Sequence, residues 1–356
     1  MLRRLLKDFQ GDVLAIPGRL LALIFFVVLF LIPLFFQGSS GNYYLRIFIF
    51  ANMYVIFAVS WDLLSGYTGQ LNFGHALFFG VAAYTTALLN LHLGWQPWAT
   101  IPIGALAGVV AGLIVCVPAL RLRGPYLALV TLAFPLILLG VVFAFTDFTG
   151  GELGLSGLDR ISDSRTTDYY ISLAVMIASV LIIWKLTDAS SSLVRTGIVF
   201  HAIREDEIAA RASGINTIRY KLLAFAVAGF FAGIAGAFHA HFMRIAGPSN
   251  LELTLSFQVI IWTVFGGITS IYGPVVGVYT LYLLMEIPLR NGAVYEYRFL
   301  IFAGIVVMML LFMPEGIAVW VRDKIERECP RCKLSNMAFR KTCRACNTRL
   351  YERTVD

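Results

Sequence analysis

The residues best equipped for chemistry lie at the end of this chain. The tail reads ECPRCKLSNMAFRKTCRACNTRL, with Cys329 and Cys332 in one C-x-x-C and Cys343 and Cys346 in another, ten residues on. Four thiolates in two paired knuckles suit tetrahedral zinc, and four protein ligands with no open position make a structural site, not a catalytic one. Pro330 favours the turn of the first knuckle, and Asn347 accepts a left-handed position after the second. Two disulfides are the alternative use of the same cysteines, and the compartment decides between them. The fifth cysteine, Cys116, stands alone in an apolar span and reads as a small buried hydrophobe.

A second set of chemically capable residues runs from Arg195 to Asn216, RTGIVFHAIREDEIAARASGIN. Arg204, Glu205, Asp206 and Glu207 form a charged run, and acids suit the positive end of a helix dipole. Ile208, Ala212 and Ile215 follow at helical spacing on one face. Gly214 stands where a left-handed cap would stop the helix. The pattern predicts one or two short amphipathic helices. A docking surface for a partner is one use of them. A solvated basic loop that only fixes orientation in a membrane is the other.

The third set is SGYTGQLNFGH, Ser65 to His75. Gly69, Gln70, Asn72, Gly74 and His75 fall where an apolar helix should be starting. Irregular backbone at membrane depth survives only inside protein or against water, and broken helices of this kind mark transport pathways. A tight cytoplasmic turn before an ordinary helix would use the same residues. Asp62 and His75 flank the stretch, and Glu286 is a further ionisable residue near the end of an apolar run. Thr149–Leu158, TGGELGLSGL, predicts a shaped glycine-rich loop; it lacks the lysine and the strand–loop–helix setting of a phosphate cradle.

These sets must be positioned by membrane helices. Of 356 residues, 59% are hydrophobic and 14% charged, and the mean hydropathy is +0.79, far from the roughly 25% charged residues of ordinary globular domains. The expected fold is all-α and polytopic. About ten apolar stretches approach the length that crosses a bilayer, near 20–36, 43–64, 69–89, 98–118, 125–145, 169–187, 220–243, 255–270, 272–289 and 298–318. The eighth ends in Gly266-Gly267 and is short enough to be re-entrant. Gly104, Gly108 and Gly112, and Gly229, Gly233 and Gly236, form small faces for close helix packing.

Arg3, Arg4, Lys7 and Arg19 precede the first apolar run. No A-x-A site follows it, so an uncleaved first span with a cytoplasmic N-terminus is expected. Alternation then places Arg121, Arg123, the 195–221 segment and the tail inside, as the positive-inside rule requires. Arg160, Arg165, Arg244, Arg290 and Arg298 fall outside and run against it. A cytoplasmic tail favours zinc over disulfides. The expected divisions are a cytoplasmic segment 1–19, a transmembrane domain 20–318 that includes the loop 188–219, and a cytoplasmic zinc-ribbon-like module 319–356. The charge of +7 belongs to this inside bias and to contact with membrane lipid, and implies no nucleic acid.

The chain holds no Gly-Lys pair and hence no phosphate-binding G-x-x-x-x-G-K-[ST]; H-E-x-x-H and G-x-S-x-G are also missing. An ATP-driven transporter would take its ATPase from another chain. A zinc-dependent membrane enzyme is disfavoured, because His239 and His241, two apart, point to different faces of a helix.

Six blocks resemble one family. They are GYTGQLNFGHALFFGVAAYT at 66–85, RLRGPYLALVTLAF at 121–134, TGGELGLSGL at 149–158, AIREDEIAARASGINTIRYKLLAF at 202–225, FGGITSIYGPVVG at 265–277 and PEGI at 314–317. In this order, over Met53 to Val319, the chain is similar to the M-type permease subunit of ABC importers for branched-chain amino acids. The resemblance implies a multi-pass subunit of a prokaryotic inner membrane, with no enzyme activity of its own. Its implied partners are a related permease subunit, two ATPase subunits that bind ATP, and a periplasmic or extracellular substrate-binding protein. It makes Arg204–Gly214 the coupling segment to the ATPases, with Glu207, Ala209, Ala210 and Gly214 in the places of the general E-A-A-x-x-x-G motif and Ile208 where a strict match has Glu. Permeases for urea, amides or another small solute are the related alternative. Two departures stand out: Asp62 where similar proteins are uncharged, and the tail beyond Val321.

Overall fold

The computed structural model describes residues 17–36, 38–122, 124–188, 195–287, 296–329, 335–337, 342–343, 346 and 348–349. The N-terminal basic cluster before Pro17, Arg123, Arg290 and Cys332 lie outside the described residues. Its regular structure is helical apart from two small antiparallel ribbons among the described residues.

The helices are α1 (Pro17–Phe35), α2 (Gly38–Trp61), α3 (Ala76–Leu93), α4 (Pro97–Ala119), α5 (Pro125–Ala144), α6 (Arg165–Thr187), α7 (Thr196–Glu205), α8 (Glu207–Ala212), α9 (Thr217–Met243), α10 (Leu253–Gly266), α11 (Tyr272–Glu286), α12 (Arg298–Phe312) and α13 (Ile317–Ile325). Six of these, α2 to α6 and α9, are long and apolar enough to cross a membrane. A seventh crossing arises if α12 and α13, bent by 44° at Met313–Gly316, act together. The expected count of ten therefore falls. Helix α10 has 14 residues and α11 has 15, so each covers only about 21–23 Å at 1.5 Å per residue, short of the roughly 30 Å hydrocarbon core. The third expected span begins at Ala76, not at 69, because the residues before it leave the helix.

Helix α2 is the buried centre, packed between α6, α9 and α11. Between lipid-solvated helices there is no hydrophobic driving force, so close contact and interhelical hydrogen bonds must hold the bundle. Both occur. The α4 and α9 glycine faces meet backbone to backbone: a Cβ on Gly108 would collide with the Gly229 carbonyl, and one on Gly112 with the Phe225 carbonyl. Asn52 of α2 donates to Ser172 Oγ of α6 at 2.9 Å and accepts from the Tyr279 hydroxyl of α11 at 2.5 Å. Thr100 of α4 and His241 Nε2 of α9 are 2.6 Å apart.

The glycine-rich loop is shaped as expected. Strand β1 (Leu155–Ser156) pairs antiparallel with β2 (Ile245–Ala246), tying it to the end of α9. The α10–α11 pair is a second shaped feature. Gly266 and Gly277 let the two half-length helices touch through backbone, each blocking the room a Cβ would need. After α13, strand β3 (Glu326–Glu328) pairs with β4 (Ser335–Met337) and opens the tail.

Candidate functional site

Helix α2 does not stop at Trp61. It continues as a buried π-helix, Asp62–Tyr67, a wider coil that often marks functional sites. Residues 68–75 then cross without regular structure, with Gly69 and Leu71 exposed and the rest inside the protein. Gln70 is 7%, Asn72 1% and His75 0% exposed, so every polar group here has to be answered from within. His75 Nε2 lies 2.9 Å from Ser60 Oγ and its Nδ1 lies 3.3 Å from Asn72 Nδ2. Asn72 Oδ1 accepts from Gly74 N, and the Asn72 carbonyl accepts from Trp61 Nε1 at 2.7 Å. Ser65 Oγ donates to the Gln70 carbonyl and accepts from Asn72 N. Phe73 N donates to Thr131 Oγ1 of α5, and Ala76 N to Ser256 Oγ of α10. Gly74 lies against the Thr131 carbonyl, where any Cβ would strike backbone. Gln70 Oε1 is the exception, buried with no hydrogen-bond partner among the described residues. Gln70, Asn72, Gly74 and His75 thus belong to one buried knot, while Gly69 is exposed at its edge.

Asp62 is fully buried. Its Oδ1 accepts from Thr269 N at 2.9 Å, while Oδ2 has no partner among the described residues. Thr269 sits in the α10–α11 turn with φ of 61°, an uncommon conformation for a β-branched residue. Asp62 thus supplies the acceptor that holds this turn.

The charged stretch forms two helices, as its pattern predicts. Asp206 caps α8, its Oδ1 accepting from Ile208 N at 2.7 Å and from Ala209 N at 3.1 Å. Gly214 closes the helix with φ of 84°, while Gly214 N and Ile215 N donate to the Arg211 and Ala210 carbonyls. Glu207 points back into the bundle: Oε2 accepts from Lys221 Nζ at 2.8 Å and Oε1 from Arg211 at 2.9 Å. The Lys221 side chain is only 3% exposed, so it is a buried cation held by one carboxylate. Ala210 is buried, whereas Ile208, 63% exposed, Ala209 and Ala212 face outward. Arg204 and Glu205 are also exposed at the end of α7.

The two regions touch. A Cβ on Gly69 would come 3.4 Å from Arg204 Cα, and the rings of Tyr67 and His201 lie 5.5 Å apart. Burial, and then the Arg204 charge, hold the His201 imidazole below its ordinary pKa, which keeps that contact neutral. Arg204 also lines a cavity of about 320 Å³ with Ile268, Thr269, Pro314, Glu315 and Arg322. The end of α7, the α10–α11 turn and the α12–α13 bend therefore meet at one place.

Lys221 and Thr269 were not singled out by sequence reasoning. A lysine one turn into an apolar helix carried a signal, because an ionisable residue there needs a partner. Nothing local marks Thr269.

In the tail, the Cys329, Cys343 and Cys346 sulfurs lie within 4.8 Å of one another, and Cys329 Sγ is 3.5 Å from Cys346 Sγ. A disulfide needs about 2.05 Å. Thiolates around tetrahedral zinc at about 2.3 Å stand roughly 3.8 Å apart. Cys343 N donates to the Thr348 carbonyl and Thr342 bridges to Arg349, which turns the second knuckle toward Cys329. This cluster could hold a metal ion. Cys332 is outside the described residues.

The architecture is that of a polytopic α-helical membrane protein with a broken, buried span and one exposed, capped helix. The chain belongs to the family described as the branched-chain amino acid transport system permease component, whose model matches residues 43–313. It is 29% identical to the high-affinity branched-chain amino acid transport system permease protein LivM of Salmonella typhimurium, over 79% of this chain and 71% of that protein. It is 30% identical to LivM of Escherichia coli, over 80% and 71%. A probable branched-chain amino acid transport permease protein LivH of Methanocaldococcus jannaschii is 23% identical over 78% and 92%. These relatives are transport permeases, not enzymes. The matched region ends before the cysteine tail.

Proposed function

We propose that this chain is the membrane permease subunit of an ATP-driven importer of branched-chain amino acids, working with a related permease subunit, two ATPase subunits and a substrate-binding protein. The observation that carries the mechanism is the contact of Arg204 with Gly69. Helix α8 offers Ile208, Ala209 and Ala212 to an ATPase, while Glu207 and Lys221 fix it to the bundle. A displacement of Arg204–Gly214 by ATP binding passes through Arg204 to the Gly69–His75 knot. In this reading Gly69, Gln70, Asn72, Gly74 and His75 line the translocation path in at least one state, and the unpartnered Gln70 oxygen is a group free to meet solute or water. With α1, 19 residues long, as a further crossing, the positive-inside rule supports cytoplasmic N- and C-termini, with α7 and α8 inside a prokaryotic inner membrane. The test is ATP-dependent leucine uptake by proteoliposomes holding the assembled complex and its binding protein. Uptake of urea or an amide with none of leucine would overturn the substrate assignment.

The divisions follow as a membrane domain over 20–318, with 188–219 as its coupling loop, and a tail over 319–356 that binds one structural zinc through Cys329, Cys332, Cys343 and Cys346. A stretch this short buries too little to order itself, and metal binding supplies the folding free energy. Purified full-length protein should carry about one zinc per chain. Cys343→Ser should lose it without loss of membrane insertion. Zinc near zero with all four thiols free would remove this assignment.

A further inference from the structure

At the end of the bundle away from α7 and α8, the ends of α2, α6 and α9 enclose a second pocket of about 200 Å³. Roughly 30 Å of helix separates Arg46, in this pocket, from Tyr67 at the α7 contact. Arg46, Arg160, Arg165 and Arg244 all line it, together with Asp168, the exposed Asp163 and Phe242. Three of these arginines are among those that run against the positive-inside expectation.

Arg165 and Arg160 interact with the charge of Asp168, but the close contacts of the four guanidiniums are not ionic. Arg46 reaches the Met243 sulfur at 3.6 Å and lies 5.5 Å from the centre of the Phe50 ring. Arg165 lies 4.9 Å over the Phe242 ring. Arg244 Nε donates to the Leu158 carbonyl at 2.7 Å. Among the described residues none of the four makes an ion pair. Asp168, 6% exposed, is held by the Ser162 backbone and by the charges of Arg165 and Arg160, yet its Oδ1 has no hydrogen-bond partner among the described residues. Four guanidiniums with no close ion pair favour a carboxylate, which arginine binds through paired donors. A buried carboxylate with one open oxygen disfavours a simple anion and favours an ammonium. One small molecule carries both groups.

We propose that this pocket receives the zwitterionic head of a free α-amino acid, carboxylate on the arginines and ammonium on Asp168, with Ile161, Phe242 and Met243 beside its side chain. The volume is below the roughly 300–1,000 Å³ of drug-sized clefts, which fits a ligand of this size. The proposal rests on the function proposed above, which places the pocket on the outer face, as a station of low affinity between the binding protein and the path.

The experiment uses the assembled complex in lipid nanodiscs without its binding protein, and measures tritiated leucine binding by scintillation proximity. Leucine should bind saturably. Neither 4-methylpentanoate, which lacks the ammonium, nor 3-methylbutylamine, which lacks the carboxylate, should displace it at equal concentration. Arg165→Gln and Asp168→Asn should each weaken leucine roughly tenfold or more, the loss of one charge-assisted bond. Asp168→Asn should in addition let 4-methylpentanoate compete, which a merely structural role would not produce. No saturable leucine binding, equal displacement by 4-methylpentanoate in the unaltered complex, or unchanged affinity in both variants would overturn the site. ATP-driven leucine uptake with the binding protein present is measured in parallel. Its persistence beside an unresponsive pocket removes this site alone, whereas its absence removes the function on which the site rests.

Discussion

The two polar interruptions of this apolar chain, Ser60–His75 and Arg195–Asn216, are opposite in physics. The first is largely inside the protein, with only Gly69 and Leu71 exposed. Nearly every donor and acceptor is answered by a residue of the same knot or by Thr131 and Ser256 from distant helices. The second is outside, answered by its own caps and by Lys221, and it leaves Ile208 uncovered. A buried polar cluster is costly unless complete, so it fixes one arrangement firmly. An exposed helix costs little to leave uncovered and is free to meet a second surface. One region therefore suits a path that must hold its shape, the other a handle.

The sharpest way to break this comparison is to place the same residue in both. Gly74→Val drives a side chain into the Thr131 carbonyl, which cannot move without α5. We expect little folded protein, read as monodisperse yield after detergent extraction. At Gly214 a Cβ meets nothing within 4 Å, and the cost is the left-handed backbone alone, about 1–2 kcal/mol. Gly214→Val should insert and purify normally, while uptake and substrate-stimulated ATPase activity fall together. A well-folded Gly74→Val, or full uptake with Gly214→Val at matched expression, would erase the distinction.

Glu207→Lys comes next in size, since it sits where handle and bundle join. It leaves Lys221 buried beside a like charge, and loss of one partner of a buried pair costs about 3–5 kcal/mol. Insertion, set by the apolar spans, should survive. Uptake should be lost, and Glu207→Gln, which keeps the shape without the charge, should retain an intermediate rate.

The smallest effect is one of accessibility. A cysteine at position 208 should react with a water-soluble thiol reagent at once when the ATPases are absent and slowly when they are bound. Cysteines at 70 and 72 should react slowly at rest and faster during ATP turnover, each followed by mass spectrometry of its own peptide. Protection of 70 and 72 in every state would make the knot a permanent packing element and leave the path to other residues.

Much of this was legible in sequence, for reasons that particular residues show. Apolar length marked α2 to α6 and α9, because a bilayer sets a length that composition must meet. The acidic run Glu205–Glu207 and Gly214 marked the ends of α8 through the helix dipole and a local dihedral angle. The sequence allowed a short, re-entrant α10 ending at Gly266-Gly267, but the half-length character of α11 was not visible in the same way. Their apolar residues continue on both sides of Gly266-Gly267, and only the backbone contact at Gly277 shows that the chain folds back. Whether Gln70, Asn72 and His75 meet water or one another was equally closed to sequence. Some of their partners lie near in the chain, as Ser60 does, but Thr131 and Ser256 are supplied by helices that only the fold brings near.

The short pair α10–α11 has a consequence for the order in which the protein is made. Neither half is long enough to span the bilayer alone, and the polar backbone of the turn at Ile268–Ser270 cannot be left facing lipid. The pair becomes stable in the membrane only once Asp62 is there to receive Thr269 and α2 is there to be packed against. Synthesis delivers it in that sequence, with α2 to α9 emerging first. The carboxylate at position 62 is thus a receptor made early in translation for a segment made late, and a ribosome stalled before residue 270 would leave it buried and unanswered.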